Sequence, residues 1–158
     1  MLDLTQMVGR LLLALVLGAL MGLERELIGK EAGIRTGMLV SGGAAVFAIV
    51  AITLPYLIAV SSEHQMEVIA RNSGFLAIIA NVVVGIGFLG AGIIIKQDER
   101  VKGLTTAAVV WTTAAIGTLA GLGLHKFAVS ATVLIAGLLY LLKDIAIYEQ
   151  APPPPKPK

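Results

Sequence analysis

The chain of 158 residues is long enough for about one domain, with 57% hydrophobic and only 14% charged residues. Ordinary soluble domains hold roughly 45–50% and about 25% respectively, and the mean hydropathy of +0.90 points the same way. Its 18 glycines fall inside the apolar stretches, there is no cysteine, and the net charge is only +2. These values exclude a disordered chain, a disulfide scaffold, a thiolate metal site, a typical soluble enzyme and a nucleic-acid binder. They describe an all-α integral membrane protein.

A membrane helix needs about 20 mostly apolar residues, and about five such stretches follow one another. In chain order they are Leu4–Leu23, Thr36–Val60, Gly74–Ile95, Thr105–Leu124 and Phe127–Leu142. The fifth is short, bracketed by Lys126 and Lys143. Pro55 either kinks the second helix or ends it near Leu54. Residues 1–148 therefore read as one transmembrane domain. Residues 149–158, with Pro152 to Pro155 and Pro157, read as an extended, disordered cytoplasmic tail that serves solubility or recognition. No basic leader of a cleavable signal precedes Arg10.

Basic residues accumulate on the cytoplasmic side of membrane proteins. Arg25, Lys30 and Arg35 fall in the first loop, Lys96, Arg100 and Lys102 in the third, and Lys143, Lys156 and Lys158 at the C-terminal end. Only Arg10, Arg71 and Lys126 fall on the opposite side. This distribution predicts an external N-terminus and a cytoplasmic C-terminus.

Three segments carry chemistry. The first is Gly22-Leu23-Glu24-Arg25-Glu26, followed by Glu31 and Gly33-Ile34-Arg35-Thr36. Its simplest reading is a solvated loop that fixes topology. The alternative is a buried charge network in which Glu24 and Glu26 meet Arg25, Arg35 or another basic residue, because charges at membrane depth are costly unless paired. Two carboxylates at a wet boundary also suit a hard cation such as Mg2+, which takes oxygen ligands and keeps several waters. Glu24 and Glu26 are weak metal-ligand candidates on that ground.

The second segment places glycine at 85, 87, 90 and 92. No Gly-Lys-Ser/Thr follows, so a phosphate-binding loop is excluded. Glycines in a membrane helix allow close helix contact, as do Gly18 with Gly22 and Gly117 with Gly121. A locally unwound helix whose carbonyls bind a cation is the other reading of Gly85, Gly87, Gly90 and Gly92. Asn81, one turn earlier, is predicted to hydrogen-bond across helices.

The third is Gly103-Leu104-Thr105-Thr106 with Trp111-Thr112-Thr113. Thr105 or Thr106 reads as a helix N-cap. Trp111 lies deep, so its indole N–H requires a buried partner such as a threonine hydroxyl. A shift of the chain by 70 positions superposes Gly22 on Gly92, Gly33 on Gly103 and Thr36 on Thr106. Spans one–two and three–four then form a parallel two-helix repeat, with Glu24, Arg35 and Thr105 near its interface. His64 and His125 lie in separate loops without a catalytic partner set. His64 with Glu63 and Glu67 is at most a weak metal site beside the reading as a solvated loop.

The motifs around Gly22–Glu26, Ala32–Thr36, Gly85–Gly92 and Gly103–Ala108 with Trp111 occur in the order found in the MgtC/SapB membrane proteins, which this chain resembles from about Leu4 to Tyr148. The resemblance implies a bacterial or archaeal cytoplasmic-membrane protein of about five spans. It is associated with adaptation to low magnesium, acid stress and survival in host cells, and some members look like regulators of other membrane complexes. It implies a non-enzymatic protein without a resident cofactor, Mg2+ apart. Its partners would be membrane lipid, a second copy of the chain in a dimer, and other membrane proteins. The alternative is a small Mg2+ or proton transporter using Glu24, Glu26 and the Gly85–Gly92 segment. Gly37 stands where many members carry His or Asn, Ala77 where many carry arginine, and Asn81 where glutamine is usual. With a proline-rich tail in place of a soluble C-terminal domain, the chain looks like a short SapB-type member.

Overall fold

A computed structural model describes residues 2–58, 74–97 and 100–148. Five helices and one small hairpin follow in the order α1 (Leu4–Leu27), α2 (Ile34–Ile58), α3 (Gly74–Ile93), β1 (Ile95–Gln97), β2 (Arg100–Lys102), α4 (Leu104–Leu122) and α5 (His125–Tyr148). Four of the helices, all but α3, are long and apolar enough to cross a membrane, and α3 contributes a shorter apolar stretch over Ala77–Ile93. The proline tail, Arg71 and the trio Glu63, His64 and Glu67 lie outside the described residues.

Helix boundaries follow local chemistry. α1 runs four residues past Leu23 and carries Glu24 and Arg25 into its last turns. α2 continues through a buried Pro55 to Ile58, so the helix does not stop at Leu54. α4 begins after Gly103, whose φ of +85° lies in the left-handed region where a Cβ is strained. The stretch between α3 and α4, read as a plain loop, folds as a short antiparallel hairpin pairing Ile95 with Lys102 and Lys96 with Val101.

In lipid, no hydrophobic force drives helix against helix, so close van der Waals packing of small residues must do so. The core cluster is accordingly rich in alanine, with Ala14, Ala45, Ala120 and Ala128 beside Leu17, Met21, Val109 and Ile116. α1 meets α2 backbone to backbone: a Cβ on Gly18 would run into the Gly37 carbonyl, and one on Gly22 into Gly33. α2 meets α4 in the same way, with Gly117 against the Ser41 carbonyl and Gly121 against Ala45 and Ala48. Both spaced glycine pairs thus form the predicted close contacts. Hydroxyls inside the bundle donate to their own helix, Thr113 to Val109 O at 2.7 Å and Thr132 to Ala128 O at 2.8 Å.

The 70-residue shift reappears in the helix starts, since α1 and α3 begin at Leu4 and Gly74 and α2 and α4 at Ile34 and Leu104. The resemblance stops at the interfaces. Gly22 is wedged against α2, whereas a Cβ on its counterpart Gly92 would meet nothing within 4 Å.

Replacing Gly117 by leucine forces α2 and α4 apart and is expected to cost about 1–3 kcal/mol. Gly43→Ala, where a Cβ meets nothing within 4 Å, should be neutral or stabilise by up to about 1 kcal/mol. Thermal unfolding of both variants in detergent measures the difference.

Candidate functional site

The buried stripe of α1 reads Ala14, Leu17, Gly18, Met21, Gly22, Glu24 and Arg25. These positions recur at three and four residues, as one helix face requires. Glu24 and Arg25 stand one heptad beyond Leu17 and Gly18. The tight contacts that bury those two residues therefore carry a charged pair inward, leaving Glu24 8% and Arg25 4% exposed.

Arg25 is the hub. Its Nη1 donates to Glu24 Oε2 at 3.4 Å, and its Nη2 donates to Thr106 Oγ1 at 3.3 Å. Thr106 belongs to the first turns of α4 and is 2% exposed, so the guanidinium ties the end of α1 to the beginning of α4. Among the described residues, Arg25 Nε is buried without a partner. This arrangement corrects the reading of the first loop as simply solvated. Its charges divide, with Glu24 and Arg25 inside and Glu26, Glu31 and Arg35 exposed.

Glu26 has a different task from Glu24. Its Oε2 accepts the Ile34 N–H at 2.9 Å, so a side chain from the end of α1 satisfies one of the free donors at the start of α2. The bare α-carbon of Gly33 makes room for that carboxylate, which a Cβ there would strike. The two carboxylates are thus turned to separate partners. Thr36 is half-buried beside this turn.

The remaining predicted residues disperse. Thr105 is exposed and Thr106 accepts from Arg25; neither caps α4, whose N-cap is Gly103 without a side-chain hydrogen bond. Arg35 and Thr105 therefore stay outside the contact that joins the two halves. Trp111 is 50% exposed on the outer face of α4, while Thr112 and Thr113 donate to the carbonyls of Ala108 and Val109. Its indole does not face a buried partner, because the inward positions of α4 are 109, 110, 113 and 114. Asn81 lies exposed on α3, and no cross-helix hydrogen bond of its amide occurs among the described residues. The glycine-rich segment is continuous helix rather than unwound. Only Gly90 is buried, against Ala107 of α4 at 3.6 Å; Gly85, Gly87 and Gly92 border open space.

One polar contact was not foreseen. Arg10 Nη1 donates to the Gly121 carbonyl at 2.8 Å, and its guanidinium lies against Gly123, whose φ of +88° ends α4. Its signal was a single cation inside an otherwise apolar span, which demands a partner. By charge counting alone it marks only topology.

A bundle closed by small residues and held at both ends by arginines, with four helices long and apolar enough to cross a bilayer, defines a multi-pass all-α membrane protein. Comparison then fixes its kind: the profile of the MgtC family matches residues 11–147, and the chain belongs to that family. It is 42% identical over 136 residues to Protein MgtC of Salmonella typhimurium, covering 86% of this chain and 52% of that protein. It is 39% identical over 132 residues to Protein MgtC of Brucella abortus, covering 84% and 49%. An uncharacterized protein of Haemophilus influenzae is 41% identical over 128 residues, covering 80% of this chain and 51% of that protein. The chain thus spans about half the length of the curated relatives it matches. No solved structure matches it.

Removing Arg25 alone, as Arg25→Met, strands a buried carboxylate and is expected to cost about 3–5 kcal/mol. The double change Glu24→Leu with Arg25→Met should recover much of that loss, and Thr106→Val alone should cost about 1–2 kcal/mol. A double-mutant cycle by thermal unfolding in detergent reads all three.

Proposed function

We propose that the chain is a non-enzymatic protein of magnesium homeostasis or stress adaptation that acts by contact with other membrane proteins. Membership of the MgtC family supports the magnesium-related role at the membrane. The location proposed is the cytoplasmic membrane of a bacterium or archaeon, with the N-terminus outside. The charge distribution supports that topology: Arg25, Lys30, Arg35, Lys96 and Lys102 gather at one end of the bundle and Arg10 and Lys126 at the other.

The observation that carries contact over transport is the engagement of the carboxylates. Glu24 is turned onto Arg25 and Glu26 onto the N–H of Ile34, so a cation would have to displace both. By contrast, α3 leaves an open face. Asn81, Gly85, Phe88 and Gly92 recur at helical spacing, Phe88 is 84% exposed, and Gly85 and Gly92 border open space. Glycine faces of this kind support close docking of another membrane helix, and the amide of Asn81 offers it a hydrogen bond.

The test has two arms. Proteoliposomes containing the purified protein should show no Mg2+ or proton flux above empty liposomes; flux removed by Glu24→Gln would replace this reading with a transporter. In native membranes, Gly85→Leu and Gly92→Leu should weaken cross-linked complexes by about tenfold, equivalent to ~1.4 kcal/mol of association, while leaving the unfolding temperature unchanged. Undiminished complexes in both variants would remove α3 as the contact face.

A further inference from the structure

An open groove of about 370 Å³ lies between α1 and α2. It follows α1 from Leu12 to Leu23 and is closed on its other side by Ile34 and Met38 of α2, with an almost wholly apolar lining. Val16 on its edge is 57% exposed. From Leu12 to Leu23 the helix rises about 16 Å, close to the ~15 Å of hydrocarbon in one leaflet.

The groove ends where charge begins. α1 has 24 residues and is about 36 Å long against a hydrocarbon core of about 30 Å, so its last turn and the first turn of α2 reach the headgroup layer. Exposed there are Arg35, next in the chain to the groove residue Ile34, and Glu31, three residues before Ile34; Glu26 is held by the Ile34 N–H. Lys30 shares this turn and is already engaged. The rim therefore carries both signs.

We infer that this groove is a specific site for a phospholipid with a zwitterionic, primary-amine headgroup, of the phosphatidylethanolamine type. One acyl chain lies along Leu12–Leu23, the phosphate meets Arg35, and the ammonium meets Glu31. A phosphatidylglycerol headgroup would give Arg35 the same phosphate but leave Glu31 facing an anion. A helix of a second copy would fill the apolar groove without using the charged rim.

Native mass spectrometry of the full chain, released from detergent after incubation with equal amounts of phosphatidylethanolamine and phosphatidylglycerol, tests this assignment. Wild type should retain phosphatidylethanolamine over phosphatidylglycerol by about fivefold, and Val16→Trp, which fills the groove from its exposed edge, should lower that bound fraction by about fivefold. Arg35→Gln should lower retention of both lipids. Ala19→Phe, from the groove wall, repeats the block at a second position, and circular dichroism checks that each variant is folded. Equal retention of the two lipids, or retention unmoved by both groove-filling variants, overturns the site. So does a dimer that sheds lipid and is broken by Val16→Trp, which would assign the groove to a second copy.

Discussion

Backbone contact among α1, α2 and α4 is the constraint from which the rest of this structure follows. Surrounded by lipid tails as apolar as its own side chains, the bundle gains little from burying leucine and must gain from proximity. Gly18, Gly22, Gly37, Gly117 and Gly121 supply it, each lying so close to a neighbouring backbone that a methyl group would not fit. Larger apolar side chains, such as Leu12, Phe47 and Leu141, are correspondingly turned outward.

That proximity explains the buried charge. Once α1 is pressed against α2 and α4 along one stripe, the register of the helix dictates what comes next on that stripe, and it is Glu24 and Arg25. The pair is tolerable because α4 presents Thr106 at the level of the guanidinium. The same logic operates at the opposite end, where Arg10 finds the last carbonyls of α4. α4 is thus clasped at both ends by arginines of a single helix, and its C-terminal turns are seated on α2 by Gly117 and Gly121.

Much of the fold was legible in the sequence because hydropathy and helix length are local properties. Five helices fall where the apolar runs place them, four of them long and apolar enough to cross a membrane, and the paired glycines of α1 and α4 pack as their spacing indicates. The candidate site was only half legible. Gly22–Glu26 stands out in the sequence by its charges, but these divide between buried and exposed according to helix register, which is set by how far α1 continues past Leu23. Asn81, Trp111 and the glycines of α3 are unusual in a span, and that oddity alone points them inward. Which side of a helix faces its neighbours is a tertiary fact, and local oddity does not reveal it. The Arg10 contact required knowing that Gly121 lies in the last turn of a helix that ends on the same side of the bundle.

The two arginine contacts join residues separated by 81 and 111 positions, which bears on how the protein is made. When α1 and α2 have left the ribosome, their glycines can already meet, yet neither arginine has the α4 group that will receive it. The first hairpin therefore enters the bilayer with its steric contacts and the Glu24–Arg25 pair available and its hydrogen bonds to α4 deferred. Synthesis of α4 completes both clasps almost together, so the bundle matures late, and interruption of translation before Thr106 leaves Arg10 and Arg25 without the α4 acceptors that seat them.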